Sequence, residues 1–165
     1  MKVERVFVGV GGNLGDSKTL FRSAISQLGL LPETQVVALS SVYKTPPMGP
    51  EDQDDYSNMV LGLDTGLKPL ALLDALQSIE QNHGRVRKNE RWGARTLDLD
   101  ILLFGQQVID EPRLRVPHYG MNQRNFVIVP LHEVVGEGFV LPMLGALDKI
   151  VLDLAGEPIE NLGTL

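Results

Sequence analysis

The chain has no cysteine among its 165 residues, which excludes disulfide bonds, thiolate nucleophiles and cysteine metal sites. It also has no apolar run of the roughly 20 residues that a membrane-spanning helix requires. The N-terminal MKVERVFVGV does not have the layout of a signal peptide, because Glu4 and Arg5 interrupt its short apolar run. We therefore expect a cytoplasmic protein that does not bind membranes.

An excess of positive charge is missing as well. The 15 Lys and Arg residues are outnumbered by 21 Asp and Glu residues, and the formal net charge is −6. Overall charge thus gives no support to binding of nucleic acid or of anionic membranes. With 43% hydrophobic and 22% charged residues, the composition is typical of one globular domain. We expect residues 1–165 to form that single domain and the protein to be a monomer.

Hydrophobic patterning predicts the element order β-α-β-β-α-β followed by a C-terminal extension. The predicted strands are 5–10, 34–43, 56–63 and 97–104; the predicted helices are 17–28, 69–83 and 123–135. A hairpin return is predicted in QQVID, after the last strand. This order favours an α+β, ferredoxin-like βαββαβ sandwich, with both main helices on one face of the sheet and no helix on the other.

The strand predicted in ARTLDLDILLFG carries Asp98 and Asp100 within an otherwise apolar run. Side chains two residues apart in a strand point to the same side, so the carboxylates share one face and positions 97, 99, 101 and 103 take the other. At roughly 6–7 Å and an effective dielectric constant near 20, the carboxylates repel by about 2–3 kcal/mol. A positive partner, either a side chain or a bound cation, must offset that repulsion.

A basic loop precedes this strand. GRVRKNERWGARTLDLD holds a third of the chain's 15 Lys and Arg residues, namely Arg85, Arg87, Lys88, Arg91 and Arg95. One interpretation is that these side chains are solvated or form salt bridges with the acidic pair and with EDQDD. The other is that they bind a polyphosphate, while the two carboxylates hold two Mg²⁺ ions that also bind the phosphates. The residues alone leave both open.

Other polar and aromatic residues favour a ligand site. Tyr56 and Asn58 are predicted on the same sheet face as the acidic pair, although alternation produces a similar pattern on any solvated face. His118 has three arginines nearby in sequence, which is compatible with a phosphate contact, and the three histidines lack zinc spacing. Trp92 in the basic loop is suited to stacking on a base.

The glycine-rich N-terminal segment does not match a phosphate-binding loop. In GVGGNLG, Leu14 stands where a dinucleotide-binding fingerprint has its third glycine, and in GNLGDSKT, Asp16 and Ser17 separate the glycine from Lys18. We interpret the segment as a turn between a strand and a helix.

Four segments together resemble the 6-hydroxymethyl-7,8-dihydropterin pyrophosphokinases of folate biosynthesis. They are GRVRKNERWGARTLDLDILLFG, VPHYGMNQRNFVIVPLHEV, YKTPPMGPEDQDDYSNMV and GGNLGD. The resemblance extends to about Pro142 and implies a ferredoxin-like fold. It also implies transfer of the β,γ-pyrophosphoryl group of ATP to the hydroxymethyl oxygen of the pterin, with release of AMP.

The resemblance implies roles for individual residues. Asp98 and Asp100 would hold two Mg²⁺ ions, and Arg85 and Arg95 would stabilise the phosphates during bond cleavage. The residues expected to bind ATP are Gln77, Glu80, Arg87, Lys88, Trp92, Ile101, Arg113, His118, Tyr119 and Arg124, of which Arg87, Lys88 and Trp92 belong to a mobile lid. The residues expected to bind the pterin are Thr45, Pro46, Pro47, Met48, Tyr56, Asn58 and Phe126.

The chain departs from the family pattern at three positions. Gly12 replaces a serine, Met48 replaces a leucine in the pocket wall, and Arg115 replaces a smaller polar residue. No residue is an obvious strong base for the pterin hydroxyl, so Asp100 and a metal-bound hydroxide are the candidates. The tail after Gly145 matches poorly, and we assign it no role.

Two other functions remain open from the sequence. A two-metal nucleotidyltransferase would use a similar acidic pair but would release pyrophosphate. An RNA-binding module of ferredoxin-like fold would need exposed aromatic residues on its central strands, and RVFVGV offers only Phe7.

Overall fold

A six-stranded antiparallel sheet lies at the centre of the protein. The computed structural model describes residues 2–12, 16–46, 56–83 and 97–165. The helices are α1 (Ser17–Gly29), α2 (Pro69–Asn82), α3 (Asn125–Val135) and α4 (Leu147–Asp153), and a short 3-10 turn spans Met121–Gln123. The strands are β1 (Glu4–Gly12), β2 (Thr34–Leu39), β3 (Tyr43–Thr45), β4 (Tyr56–Thr65), β5 (Asp98–Phe104), β6 (Ile109–Glu111), β7 (Leu114–Val116), β8 (Val140–Leu141), β9 (Gly145–Ala146) and β10 (Glu160–Asn161).

The order of strands across the sheet is β10-β3-β4-β1-β5, and β2 pairs with the second half of β4. The single strand predicted over 34–43 is therefore divided into β2 and β3. At the break, the hydroxyl Oγ of Ser40 accepts a 2.9 Å hydrogen bond from the backbone N–H of Val60. A side-chain oxygen thus takes the place of a ladder carbonyl, which allows the edge of the sheet to bend without leaving a buried donor unpaired.

Helices cover both faces of the sheet. The side chains of α1 and α2 share one buried core with Val8 and Leu61 of the central strands, which confirms that both main helices lie on one face. On the other face, Ile128 and Leu131 of α3 pack with Phe7 and with residues of α4. The prediction of a helix-free face is wrong, because the apolar stripe of α3 needs a buried surface of its own.

A bulge changes the alternation along β5. Phe7 pairs with Leu103, but the next residue of β1, Val8, pairs with Ile101, so Leu102 is an extra residue in β5. Leu99 and Ile101 pack toward α1 and α2 as predicted. Leu103 packs with Leu102 against α3 instead, which corrects its predicted face.

Short local features set the remaining boundaries. Asp16 caps α1 by accepting a 3.2 Å hydrogen bond from Thr19 N–H, which confirms the predicted helix start. The predicted return strand forms a separate two-stranded ribbon with β7. The tail adds β10 to the sheet edge beside β3. Among the helices described, none has the length and apolar character needed to cross a membrane.

Candidate active site

Two glycines leave the backbone of the central strand open on one face of the sheet. The valines of β1 point toward α1 and α2, so Gly9 and Gly11 lie on the opposite face. In the strand register, Gly11 stands between Asn58 on β4 and Asp98 on β5, and Gly9 stands opposite Asp100. Because glycine has no side chain, the backbone at Gly9 and Gly11 forms a floor, the glycine floor, that a ligand can approach closely. Polar side chains of the neighbouring strands lie on either side of it.

Asp98 and Asp100 lie on the predicted face of β5. Both line a cavity above this floor, and the side chain of Asp100 is 54% exposed. In the described part of the chain, no group of three or more His, Asp or Glu residues is placed to hold a metal ion. Two partly exposed carboxylates nevertheless fit Mg²⁺, which takes one or two protein carboxylates and completes its octahedron with water and substrate phosphate.

His118 is fixed beside Asp100 by the bulge in β5. The backbone carbonyl of Leu102, the extra residue, accepts a 3.0 Å hydrogen bond from the N–H of His118. This places Nε2 of His118 3.9 Å from Oδ1 of Asp100. The other ring nitrogen, Nδ1, is buried and has no hydrogen-bond partner among the described residues. A buried nitrogen of this kind is available to a ligand, since leaving it unpaired costs free energy.

The cavity has a volume of about 730 Å³, which suits a small organic substrate. The predicted site residues that line it are Thr45, Pro46, Tyr56, Asn58, Asp98, Asp100, His118, Arg124 and Phe126. The fold therefore brings together the acidic pair and all of the described residues predicted to bind the pterin, although they come from β3, β4, β5 and α3.

Another part of the cavity wall has the chemistry of a site for a flat heterocycle. Tyr56 and Phe126 supply aromatic faces, and the guanidinium of Arg124 lies 6.0 Å from the centroid of the Phe126 ring. The amide nitrogen Nδ2 of Asn58 is buried and lacks a hydrogen-bond partner within the described ranges. An acceptor on a ligand edge would satisfy this donor.

A second, smaller cavity of about 190 Å³ lies beside the first. Asp100 and His118 line both cavities, so these two residues form the boundary between them. Ile101, Arg113 and Tyr119, all predicted to bind ATP, line the smaller one, and Arg115 lies there too. The arrangement provides two adjoining subsites that meet at one carboxylate.

The two predicted residues of α2 lie outside the lining of both cavities. Oε1 of Gln77 accepts a 3.4 Å hydrogen bond from Nη2 of Arg113, which also pairs with Asp74 at 2.5 Å. Glu80 is 3% exposed, and its Oε2 accepts a 2.8 Å hydrogen bond from the N–H of Leu99. Gln77 thus orients an arginine of the smaller cavity, and Glu80 supports the start of the acidic strand.

Seven predicted site residues fall outside the described residues. They are Pro47, Met48, Arg85, Arg87, Lys88, Trp92 and Arg95.

Several cavity residues were missed by the sequence reasoning. Gly9 and Gly11 carried a signal, since glycine at every second position of VGVG indicates a strand face without side chains. Asn125, Glu157 and Pro158 also line the cavity. No local pattern marks Glu157 and Pro158, because they reach the site through the long-range path of the tail, and Asn125 lies between two residues that were predicted.

A model of the family described as 7,8-dihydro-6-hydroxymethylpterin-pyrophosphokinase (HPPK) matches residues 7–136. The chain is 52% identical over 160 residues to the 2-amino-4-hydroxy-6-hydroxymethyldihydropteridine pyrophosphokinase of Pseudomonas aeruginosa, covering 97% of this chain and 98% of that protein. It is 46% identical over 156 residues to the Haemophilus influenzae protein of the same name, covering 94% of this chain and 96% of that one.

Solved structures are similar at the level of the fold. The structure of wild-type Plasmodium falciparum HPPK-DHPS with pteroate superposes with a TM-score of 0.70 at 13% identity. The superposition covers 92% of this chain and 42% of the Plasmodium chain.

Proposed function

The chain belongs to the 7,8-dihydro-6-hydroxymethylpterin-pyrophosphokinase family and is an ATP-dependent pterin pyrophosphokinase of folate synthesis; we propose that it transfers the β,γ-pyrophosphoryl group of ATP to the hydroxymethyl oxygen of 6-hydroxymethyl-7,8-dihydropterin. The observation that carries this proposal is one cavity lined both by the carboxylates Asp98 and Asp100 and by Asn58, whose buried amide nitrogen has no hydrogen-bond partner among the described residues. The two carboxylates are suited to binding cations that also bind phosphate, and the amide is suited to a hydrogen bond with a polar heterocycle.

The pterin is proposed to bind against the aromatic wall. Its ring would lie between Tyr56 and Phe126, and an acceptor on its edge would pair with Nδ2 of Asn58. Thr45 and Pro46, at the end of β3, would close this end of the cavity, with Pro47 and Met48 following them in the chain. In this orientation the hydroxymethyl group would point along the glycine floor toward the carboxylates.

ATP is proposed to bind on the other side of Asp100. Its base would occupy the smaller cavity near Ile101, Arg113 and Tyr119, and its phosphates would pass His118 toward the acidic pair. Nδ1 of His118, buried and unpartnered among the described residues, supports a contact with a phosphate or ribose oxygen in that path. Gln77, Glu80 and Arg124 complete the proposed ATP set.

Asp98 and Asp100 are the residues proposed to hold two Mg²⁺ ions. Their spacing along one strand and their partial exposure support this assignment. Bound Mg²⁺ would supply positive charge to the phosphate oxygens. The two carboxylates, because they would be fixed to the strand backbone, would define where those oxygens lie relative to the pterin hydroxyl.

The reaction is proposed as an in-line displacement at the β-phosphorus. The hydroxymethyl oxygen forms a bond to that phosphorus, the bond from it to the bridging oxygen of the α-phosphate breaks, and AMP leaves with the electron pair. The hydroxyl proton is released, and the two candidates to accept it are Asp100, through a carboxylate oxygen that does not bind Mg²⁺, and a metal-bound hydroxide. Arg85 and Arg95 are proposed to stabilise the transferred group, and Arg87, Lys88 and Trp92 to close over it.

The remaining structural proposals concern the architecture. We infer a ferredoxin-like core, supported by the order β2/β3-β4-β1-β5 with α1 and α2 on one face. A single domain is supported by one sheet that includes both Glu4 and Asn161.

RNA binding through the sheet face finds no support in the exposure of the central strand. Phe7, the aromatic residue of β1, is 5% exposed and packs edge-on against Phe139, with ring centroids 6.0 Å apart. It is therefore not presented for base stacking.

Product analysis tests the proposed reaction against nucleotidyl transfer. The protein is incubated with ATP, Mg²⁺ and 6-hydroxymethyl-7,8-dihydropterin, and the phosphorus-containing products are followed by ³¹P NMR. We expect AMP and a pyrophosphorylated pterin in equal amounts. Release of free pyrophosphate together with an adenylylated pterin would overturn the proposal.

A further inference from the structure

The C-terminal tail forms part of the cavity wall. After α4, the chain turns so that Glu157 and Pro158 line the cavity together with Thr45 of β3 and Phe126 of α3. Beyond them, β10 pairs with β3, with Glu160 opposite Lys44. The tail thus connects two parts of the cavity wall, since it lines the cavity at Glu157 and Pro158 and then pairs with β3, the strand that carries Thr45.

A buried side chain fixes the tail at the cavity. Asn125, the first residue of α3, is 8% exposed, and its Nδ2 donates a 3.0 Å hydrogen bond to the backbone carbonyl of Pro158. Its two neighbours in the chain are Arg124 and Phe126, and both also line the cavity. Whatever holds Asn125 in place therefore sets the position of the helix start that presents these two side chains.

The far end of the tail is held by α1. Nζ of Lys18 donates hydrogen bonds to the carbonyl oxygens of Leu162 at 2.8 Å and Thr164 at 3.3 Å. Val42 exchanges backbone hydrogen bonds with this segment, since its N–H donates to Gly163 at 2.9 Å and its carbonyl accepts from Leu162 at 2.8 Å. The end of the tail is anchored at two independent places.

We propose that residues 156–165 are a positioning element of the pterin site, which they assemble by tying the start of α3 to β3, with Asn125 and Lys18 as its positioning residues. The inference rests on the proposed function, because it assigns the wall to the pterin and not to ATP. Within the described ranges, no tail residue lines the smaller cavity, where the base of ATP is proposed to bind. Arg124 is the one proposed ATP contact next to Asn125, so loosening the tail should weaken pterin binding strongly and ATP binding only slightly.

The test separates the two Michaelis constants. Asn125→Asp keeps the size of the side chain but removes its donor. We expect KM for the pterin to rise about tenfold and KM for ATP, through Arg124, to rise by no more than about threefold. Asn122→Asp, which adds the same charge outside both cavities, is the matched control and should leave both constants unchanged. Equal changes in both constants, or an unchanged pterin KM in folded Asn125→Asp, would overturn the proposal.

A second variant keeps the test decisive if Asn125→Asp does not fold. Lys18→Met should raise pterin KM by about threefold to tenfold and speed hydrogen exchange of the Leu162 amide. Lys18→Arg, which keeps the donor, should have wild-type values of both quantities. Lys149→Met, at an exposed lysine, is the control and should change neither. An unchanged pterin KM with a loosened tail would refute the inference. A wild-type protein that forms no pyrophosphorylated pterin would instead refute the proposed function, and pterin calorimetry on the same variants would then decide the role of the tail.

Discussion

Gly11 and Asn58 are directly opposed across β1 and β4, and a Cβ atom on Gly11 would lie 2.7 Å from Oδ1 of Asn58. That distance is too short for two such atoms, so any larger residue at position 11 must displace the amide. Asn58 is also the residue whose buried Nδ2 lacks a partner in the described part of the chain. The absence of a side chain at Gly11 thus allows the amide group of Asn58 to occupy its position in the cavity.

Gly11→Ala tests this relationship. We expect the affinity for the pterin to fall about threefold to tenfold, because the displaced amide no longer meets the edge of the heterocycle, while the affinity for a non-hydrolysable ATP analogue stays unchanged. Isothermal titration calorimetry measures both. Gly29→Ala is the control, since a Cβ atom there meets nothing within 4 Å. Equal pterin binding by the wild type and Gly11→Ala would show that Asn58 does not contact the substrate.

Asp98→Asn tests the role of the acidic strand in catalysis. Turnover should fall by at least about 10²–10³-fold, because one of the two carboxylates that hold the phosphate-bound cations is lost. The free energy of unfolding should change little, since removing a like charge relieves repulsion within the pair. Asp153→Asn is the control at an exposed helix end. A strongly destabilised Asp98→Asn protein would indicate a structural salt bridge instead of a catalytic role.

Tyr43→Phe tests the link between α3 and the edge of the sheet. The hydroxyl of Tyr43 donates a 2.6 Å hydrogen bond to Oε1 of Glu133. The same carboxylate accepts hydrogen bonds from the N–H of Ser41 at Oε1 and from the Ser41 hydroxyl at Oε2. Burial, together with this carboxylate, holds the pKa of Tyr43 above its usual range. We expect Tyr43→Phe to lose about 0.5–1.5 kcal/mol of unfolding free energy, measured by urea denaturation. Tyr119→Phe, at a 76% exposed ring, should lose none.

The contact between α3 and α4 predicts an acid-dependent loss of stability. The hydrogen bond from His132 at 2.9 Å, assisted by the N–H of Gly138 at 3.1 Å, holds the pKa of Asp148 below its ordinary value of 3.8. A carboxyl with a lowered pKa in the folded state stabilises the fold above pH 3.8, and this contribution disappears as the pH falls through the folded-state value.

Urea denaturation of the wild type and of Asp148→Asn from pH 6 to pH 3 measures this contribution. The wild type should be the more stable protein at pH 6, and the difference should shrink below about pH 4. A difference that is constant over the whole range would mean that the ionisation of Asp148 does not contribute.

The strand faces could be predicted because their signal is local. Alternation alone placed Leu99 and Ile101 in the core and Asp98 and Asp100 on the other side of β5, and the structure confirms this. The start of α1 was predictable for the same reason, since a capping aspartate acts within three residues of its partner.

The predictions that were wrong, and the features that were not predicted, concern contacts between residues far apart in the sequence. The bulge at Leu102 places Leu103 on the face opposite to the predicted one. It depends on how β5 pairs with β1, which is distant in the sequence. The covering of the second face by α3, and the contact between Asn125 and Pro158, require chain segments that no short pattern relates. The site could be named residue by residue only where the family resemblance extended, which explains why the tail was given no role.

Nucleotide binding with and without Mg²⁺ tests the central claim most directly. The probe is an ATP analogue in which a methylene group replaces the oxygen between the α- and β-phosphates. The analogue cannot react, because the bond from this oxygen to the β-phosphorus is the one proposed to break. Wild-type protein should bind it at least about tenfold more tightly with Mg²⁺ than with EDTA, and the double variant Asp98→Asn, Asp100→Asn should bind weakly in both conditions. Equal affinity of the wild type and the double variant in Mg²⁺ would contradict the assignment of the acidic pair.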